Sequence, residues 1–405
     1  MARLNIKAEN KMKKKSQVTM IMIVGLLLFI VVSFVLYLSK SSVKKQSQLS
    51  VRGVHQTAVD TLAIKNFVAN CVDKLAKESF LLLGEQGGYL YKSQGGTLVD
   101  YDEANDEGKF FVMYNGFKVV YNILPPRFES SYYTAKVPDY PWKTFPYTAS
   151  HTAVFEGFFG INNMPFLYSS QGPHSIQAQI ESYIDNNIEN CLDLGFLKNQ
   201  SYNIEVKKAK TEVIIGNSDL NVQIDLPITI KNPNTKETFE ISKFSTNVNL
   251  RLKEVYAYAK NLIDSDVKNI KFDISNSINP EFSTNILQDI YSNDDLIIIM
   301  DEKSLINGKP FQYIFARKNR APALYYLSPD VLYFDSGASI DAEDLLQGQE
   351  LKAEDPDEDE LDFSIRTLAF DPTLPKILDV PELKFRVEVS DGALIDYQDI
   401  TVYKI

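Results

Sequence analysis

The longest uninterrupted apolar stretch of the chain lies near its start, at residues 18–38. It holds about 21 residues without a charge, and a helix of that length measures about 30 Å, the thickness of the hydrocarbon core of a bilayer. A cleaved secretory signal has a shorter apolar region. The pattern therefore predicts a single N-terminal transmembrane helix that stays attached to the protein.

Charges on either side of this stretch predict its orientation. Residues 1–17 carry 6 basic side chains and one acid, whereas only Lys40, Lys44 and Lys45 follow the stretch closely. The more basic flank of a membrane span stays in the cytoplasm. We therefore predict a single-pass protein of the cell membrane, with a cytoplasmic basic segment at 1–17, a juxtamembrane spacer at 39–53 and an extracellular C-terminal ectodomain.

Both helical and strand periodicity occur in residues 54–320. Apolar positions at helical spacing predict two long helices, over 54–83 and 175–194, and two shorter ones, over 250–263 and 280–291. Alternation of apolar and polar residues predicts antiparallel strands at 202–215, 220–231 and 236–249, and a hairpin at 296–316. These patterns predict an α+β ectodomain, in which long helices cover an antiparallel sheet.

The pattern changes near Pro322 and Pro329. Residues 325–405 contain short strand patterns separated by regular turns, without helical periodicity, which is typical of an immunoglobulin-like β-sandwich. The predicted fold class is thus an α+β ectodomain with a C-terminal all-β sandwich, behind a single transmembrane helix.

Charge narrows the range of partners. The net charge of the 405 residues is −11, and most of the excess acid lies in the C-terminal region. Binding to nucleic acid needs a basic surface, so nucleic acid is not an expected partner. The membrane is the first expected partner, with other cell-surface proteins or glycans as further ones.

Cys71 and Cys191 are the only cysteines, and both lie on predicted helices. An even pair outside the cytosol favours a disulfide, whereas in the cytosol the two residues would be separate buried thiols. We predict a Cys71–Cys191 disulfide, which would close a loop of about 120 residues and stabilise the fold by about 4 kcal/mol.

Three residue patterns resemble known families. Lys13-Lys14-Lys15-Ser16-Gln17 resembles the archaeal prepilin (class III) processing site, although Ile21 stands where pilins usually have Glu. This likeness implies an alternative, a pilin-like subunit of a type IV pilus-type filament that is cut before Gln17. The anchor entry together with Leu83-Gly84-Glu85-Gln86-Gly87-Gly88 is similar to uncharacterised archaeal N-terminally anchored surface proteins, a likeness that implies location and no activity.

The third resemblance covers about 80 residues of the C-terminal region. The segments 353–361 (AEDPDEDEL), 385–392 (FRVEVSDG) and 397–402 (YQDITV) resemble cadherin-like and related immunoglobulin-like repeats of surface proteins, with their A-x-D-P-D-x-D-x-L and V-x-V-x-D-G segments. The family often has Gly between its second and third aspartates, where this chain has Glu358. The likeness implies a β-sandwich fold and says little about function.

The acidic C-terminal loops contain the best candidates for chemistry. Calcium takes six to eight oxygen ligands, and a run of neighbouring acids repels itself unless a cation is bound. The candidate calcium ligands are Glu354, Asp355, Asp357, Asp359 and Asp391. The alternative is a solvated acidic loop that keeps this end of the protein soluble.

Other chemistry has little support in the sequence. The three histidines are isolated from the cysteines and from one another, and no common catalytic motif occurs, so we expect no enzyme activity and no other cofactor. Asn199 begins the one glycosylation sequon. The aromatic segment 138–147 packs as a loop in one interpretation and forms an extracytoplasmic ligand-binding or hydrolytic surface in another.

Together, these observations predict a membrane-anchored cell-surface protein with a structural, adhesive or binding role.

Overall fold

The structure is a computed structural model, and it describes residues 55–126, 159–192, 194, 203–231, 236, 238–334, 350–368 and 382–404. The chain divides into two units, Met1–Asn66 and Phe67–Ile405. In the first unit only residues from His55 onward are described, and they are helical. The second unit is compact and contains every strand described below.

Four α-helices are described. They are α1 (His55–Glu85), α2 (Glu103–Asp106), α3 (Ile176–Cys191) and α4 (Leu252–Asp266). Ser175 caps α3, because its side chain accepts a hydrogen bond from the backbone N–H of Ala178. A Cβ atom added at Gly84 would lie 2.2 Å from the backbone carbonyl oxygen of Gln312. Because Gly84 has no side chain, α1 can pack closely against the strand Lys309–Arg317, which contains Gln312.

A disulfide joins Cys71 of α1 to Cys191 at the end of α3, as predicted, with a Cα–Cα distance of 5.8 Å. The bond closes a loop with a sequence separation of 120 residues. Closing so long a loop restricts the unfolded chain and thereby stabilises the folded one.

A six-stranded mixed sheet forms the middle of the second unit. Its strands are β1 (Phe111–Tyr114), β2 (Phe117–Leu124), β3 (Ile161–Asn162), β8 (Ser283–Tyr291), β9 (Asp294–Ile306) and β10 (Lys309–Arg317). The order is β1-β2-β10-β9-β8, with β3 paired to the end of β2, and β10 runs parallel to β2. Fully buried side chains from four of the strands, including Val119, Leu296 and Ile314, form its core.

The alternating segments form a second, antiparallel sheet. It consists of β4 (Asn203–Val206), β5 (Lys210–Ile215), β6 (Leu220–Lys231) and β7 (Thr238–Val248). β4 and β5 pair with the same side of β6, and β7 pairs with the other side. As the alternation predicts, one face is apolar and buried while the other carries polar, exposed side chains.

The C-terminal region contains two smaller sheets. β12 (Val331–Phe334), β16 (Ile395–Lys404), β15 (Glu382–Ser390) and β14 (Asp362–Thr367) form one, in that order, and β11 (Ala323–Leu324) pairs with β13 (Ala353–Glu354) in the other. Leu324 of the small sheet packs with Val387, Val389 and Ile400 of the larger one, so the two sheets share an apolar core.

The predicted fold class is wrong. The described residues are mostly β-strands with few helices, and the segment predicted as a helix over 280–291 is strand β8. This segment forms a strand despite its helical spacing because it pairs with β9. Here, side-chain contacts between neighbouring strands stabilise the strand more than the local helical pattern stabilises a helix. Within the described ranges, no helix has both the length and the apolar character needed to cross a bilayer. The predicted span at 18–38 lies outside those ranges.

Other predictions also fall outside the described residues. They are the basic segment at 1–17 with the processing residues Ser16 and Gln17, the spacer at 39–53, the aromatic segment 138–147 and the sequon at Asn199. The division of the chain between residues 320 and 325 stays a prediction.

Candidate functional site

The loop between β13 and β14 brings the first acidic residues together. Asp355 stabilises this loop through one of its carboxylate oxygens. Oδ1 accepts hydrogen bonds from the backbone N–H groups of Asp357 (2.7 Å) and Asp359 (3.2 Å). This side-chain-to-backbone bonding is typical of aspartate turns. Glu358 adopts a left-handed φ of 66° to complete the turn, at the position where the resembled family often has glycine.

Asp391 belongs to the turn between β15 and β16. Its Oδ1 accepts hydrogen bonds from the N–H groups of Ala393 (2.7 Å) and Leu394 (2.6 Å). Two asparagines also contact it, one from the turn between β8 and β9 and one from the segment just after β10. Asn319 donates through Nδ2 to Oδ2 of Asp391 at 3.0 Å, and Asn293 donates to its carbonyl oxygen at 2.7 Å. The turn is therefore tied to the sheet beside it.

The two turns form a three-carboxylate cluster, consisting of Asp355, Asp359 and Asp391. One carboxylate oxygen from each residue lies within 4.8 Å of the others. Oδ2 of Asp355 and Oδ2 of Asp359 are buried and accept no hydrogen bond from any described group. Asp355 is only 9% exposed. Buried carboxylate oxygens without a partner are costly, so this arrangement favours a bound cation.

Protonation of the carboxylates is another way to reduce the free-energy cost of burying them. Burial raises the pKa of Asp355 to about 7, and the charge of Asp357 adds to the rise. Burial likewise raises the pKa of Asp359 to about 7, with further contributions from Asp355 and Asp357. At neutral pH a proton on either group would therefore also reduce the repulsion between the carboxylates.

The other two predicted ligands point elsewhere. Glu354 forms an ion pair with Lys271, with 2.6 Å between Oε1 and Nζ, and accepts a hydrogen bond from the Tyr325 hydroxyl. Asp357 instead forms ion pairs with Arg317 and Arg320. Three of the five candidate ligands thus converge, and Glu354 and Asp357 serve to position the loop.

A buried ion network anchors that loop. Arg320 binds Asp357 with Nη2 (2.7 Å) and Asp266 with Nη1 (2.8 Å), and its backbone N–H donates to Asp357 Oδ2 at 2.6 Å. Arg317 binds Asp295 with Nη2 at 2.5 Å and Asp357 with Nε at 3.2 Å. All five side chains are 3% exposed or less.

The network joins four parts of the fold. Asp266 ends α4, Asp295 lies at the start of β9, and Asp357 lies in the acidic loop. Arg317 ends β10, and Arg320 follows it by three residues. Burial raises the pKa of Asp266, whereas the two guanidinium groups lower it. Because Asp357 is held by both arginines, the neighbouring Asp355 and Asp359 cannot easily move apart to reduce their mutual repulsion.

Sequence reasoning missed this network and both asparagines. Two features of the sequence could have indicated the network. The polar run Arg317-Lys318-Asn319-Arg320 follows an apolar strand, and Asp294-Asp295 stands at the start of a second apolar strand. Buried charges are rare unless they are paired, so such residues beside core strands indicate an ion network.

Comparisons with known proteins give little further information. No known protein family matches the chain. No curated protein is similar to it either. Among solved structures, it is weakly and distantly similar to Drosophila N-cadherin EC1-4, with 9% identity over 50% of this chain and 67% of the other and a TM-score of 0.15. A TM-score this low does not establish a common fold.

Replacing Arg320 with alanine should strongly destabilise the protein. The change leaves Asp266 and Asp357 with less compensation in a buried site, and breaking such a network typically costs about 3–5 kcal/mol. Urea denaturation of Arg320→Ala measures the loss. Arg366→Ala is the control, because the Arg366 side chain is 56% exposed and its pair with Glu388 should contribute about 1 kcal/mol or less. Equal losses in the two variants would contradict the anchoring role of Arg320.

The raised pKa values also predict how stability changes with pH when divalent cations are removed. Between pH 4 and pH 7 the folded state keeps protons on Asp355 and Asp359 that the unfolded state has released. The free energy of unfolding should therefore fall as pH rises over this range, by at most about 1.4 kcal/mol per pH unit for each group.

Urea denaturation in a chelating buffer at several pH values tests this prediction. The slope should become shallower in Asp359→Asn and stay unchanged in Glu360→Gln, which removes an exposed neighbouring carboxyl. A wild-type slope that matches the Asp359→Asn slope would show that the carboxylates of the cluster do not titrate as described.

Proposed function

We propose that this protein is an extracytoplasmic structural or adhesive protein in which a calcium ion at the three-carboxylate cluster holds the C-terminal β region in place. The observation that carries the proposal is a pair of buried oxygens, Oδ2 of Asp355 and Oδ2 of Asp359, that accept no hydrogen bond from the residues the structure describes. They lie in a cluster with Asp391 whose carboxylates converge within 4.8 Å.

The ligand chemistry favours calcium over other common metals. Three carboxylates are hard oxygen ligands, and calcium accepts six to eight such ligands in flexible geometry, which carbonyl oxygens or water can complete. Magnesium requires stricter octahedral geometry, and zinc prefers cysteine and histidine, which the cluster lacks. The proposed role of the carboxylates is to hold the ion, and we assign them no catalytic step.

Position suggests what the ion would do. The carboxylates come from two turns of the C-terminal sheets, while Asn293 and Asn319, which contact Asp391, lie in the turn between β8 and β9 and just after β10. An ion bound to the cluster would neutralise the repulsion between the turns and stabilise the junction between the sheets. The C-terminal β region would then be presented in a fixed position to other surface proteins or glycans.

The disulfide supports a location outside the cytosol. Disulfides persist in oxidising compartments and are rare in most cytosolic proteins. Cys71 and Cys191 form one here, and no cysteine remains free. The acidic net charge of −11 is compatible with a surface protein that does not bind nucleic acid.

Thermal unfolding of the purified protein tests the calcium site. At pH 7.5, addition of 1 mM calcium after removal of divalent ions should raise the unfolding temperature by several degrees, because an ion that binds only the folded state stabilises it by mass action. Asp359→Asn should abolish the shift, since it removes one negative ligand of the cluster.

The matched control is Glu360→Gln, which changes the adjacent exposed acid and should keep the wild-type shift. No shift in the wild type, or an equal shift in Asp359→Asn, would overturn the proposal. A magnesium shift as large as the calcium shift would contradict the assignment to calcium.

A further inference from the structure

A polar groove lies on the exposed face of the sheet formed by β5, β6 and β7, and it does not belong to the cation site. Its cavity volume is about 500 Å³. Six polar side chains, two from each strand, line it: Lys210, Glu212, Gln223, Asp225, Lys243 and Ser245. The volume is within the range of small-molecule sites, about 300–1,000 Å³.

The strand register places these side chains in two rows across the sheet. Lys210 lies opposite Asp225, which lies opposite Lys243, and in the next row Glu212, Gln223 and Ser245 are opposite one another. Residues two apart on a strand point to the same face, so both rows point outward from the sheet. All six are exposed.

The charged members of these rows do not pair with one another. Directly opposite charges in a sheet commonly form ion pairs. Yet, over the described part of the chain, the side chains of Lys210, Asp225 and Lys243 form no ion pair or hydrogen bond, and that of Glu212 forms none either. Among the residues that the structure describes, only Gln223 of the six has a side-chain hydrogen-bond partner, since it donates to Asn221 at 2.9 Å. The groove thus offers exposed donors and acceptors that form no hydrogen bond or ion pair with the other described residues, and these groups can reach a ligand.

The arrangement of charge indicates the class of ligand. Two ammonium groups and two carboxylates give the groove no net charge, so an ion of either sign meets as much repulsion as attraction. A saccharide carries many hydroxyl groups, and each can donate to a carboxylate and accept from an ammonium or amide group. We propose that this groove binds a neutral saccharide. The inference is independent of the calcium proposal.

Binding of the full-length protein to an array of oligosaccharides tests this inference. The array holds neutral oligomers of glucose, galactose, mannose and N-acetylglucosamine beside oligomers that contain uronic acids. We expect retention on neutral oligosaccharides. Titration calorimetry with the strongest neutral binder should then show at least a tenfold loss of affinity in Asp225→Ala and in Lys243→Ala, because both remove side chains that line the groove.

Two controls lie on the same sheet outside the groove. Lys231→Ala on β6 and Glu240→Ala on β7 also remove exposed charges and should change the affinity less than twofold. Thermal unfolding of each variant shows whether it is folded, and Ser245→Ala replaces any variant that is not.

Three outcomes would overturn the inference. They are the absence of any retained neutral oligosaccharide, retention of acidic oligosaccharides alone, and equal affinity in the groove variants and the two controls. Chelation of divalent ions should leave binding unchanged, because the groove contains none of the cluster carboxylates.

Discussion

The ion network of Arg317 and Arg320 with three aspartates is the interaction on which the C-terminal half of the structure depends. Transferring a charge from water to a protein interior costs several kcal/mol, and only close pairing and additional hydrogen bonds offset this cost. Both arginines satisfy this condition, since they also donate to backbone carbonyl oxygens of Pro356 and Asp357. The network therefore fixes the backbone of the acidic loop as well as one of its carboxylates.

Fixing the loop has a consequence for the remaining acids. Asp355 and Asp359 are held close to Asp391, and burial limits the screening of their repulsion by water. A solvated acidic loop would relax by spreading apart, whereas this one is confined between β13, β14 and the end of β10. The same contacts that stabilise the junction of the sheets thus create a site that favours a positive ion. The proposed cation site would thus follow from the same contacts that hold the acidic loop in place.

Local patterns in the sequence predicted some parts of this structure and not others. The alternation in β5, β6 and β7 and the pairing of Cys71 with Cys191 were confirmed, because each depends on periodicity or on a pair with no competitor. The parallel pairing of β2 with β10 and the partners of Asp357 could not be predicted, since they join residues far apart in sequence. The strand at 283–291 was missed for another reason, because its apolar residues also fit helical spacing although it pairs with the adjacent β9. The sequence predicts Asp357 as a cation ligand, because the arginines that bind it lie about 40 residues earlier and local spacing does not reveal them.

Anomalous diffraction from crystals grown with calcium or terbium would test the central claim most directly. The account predicts one strong peak about 2.3–2.6 Å from carboxylate oxygens of Asp355, Asp359 and Asp391, with Asp357 still bound to the two arginines. A cluster without a peak at saturating ion concentration, or a peak bound instead to Asp357 after its arginine contacts had broken, would contradict it.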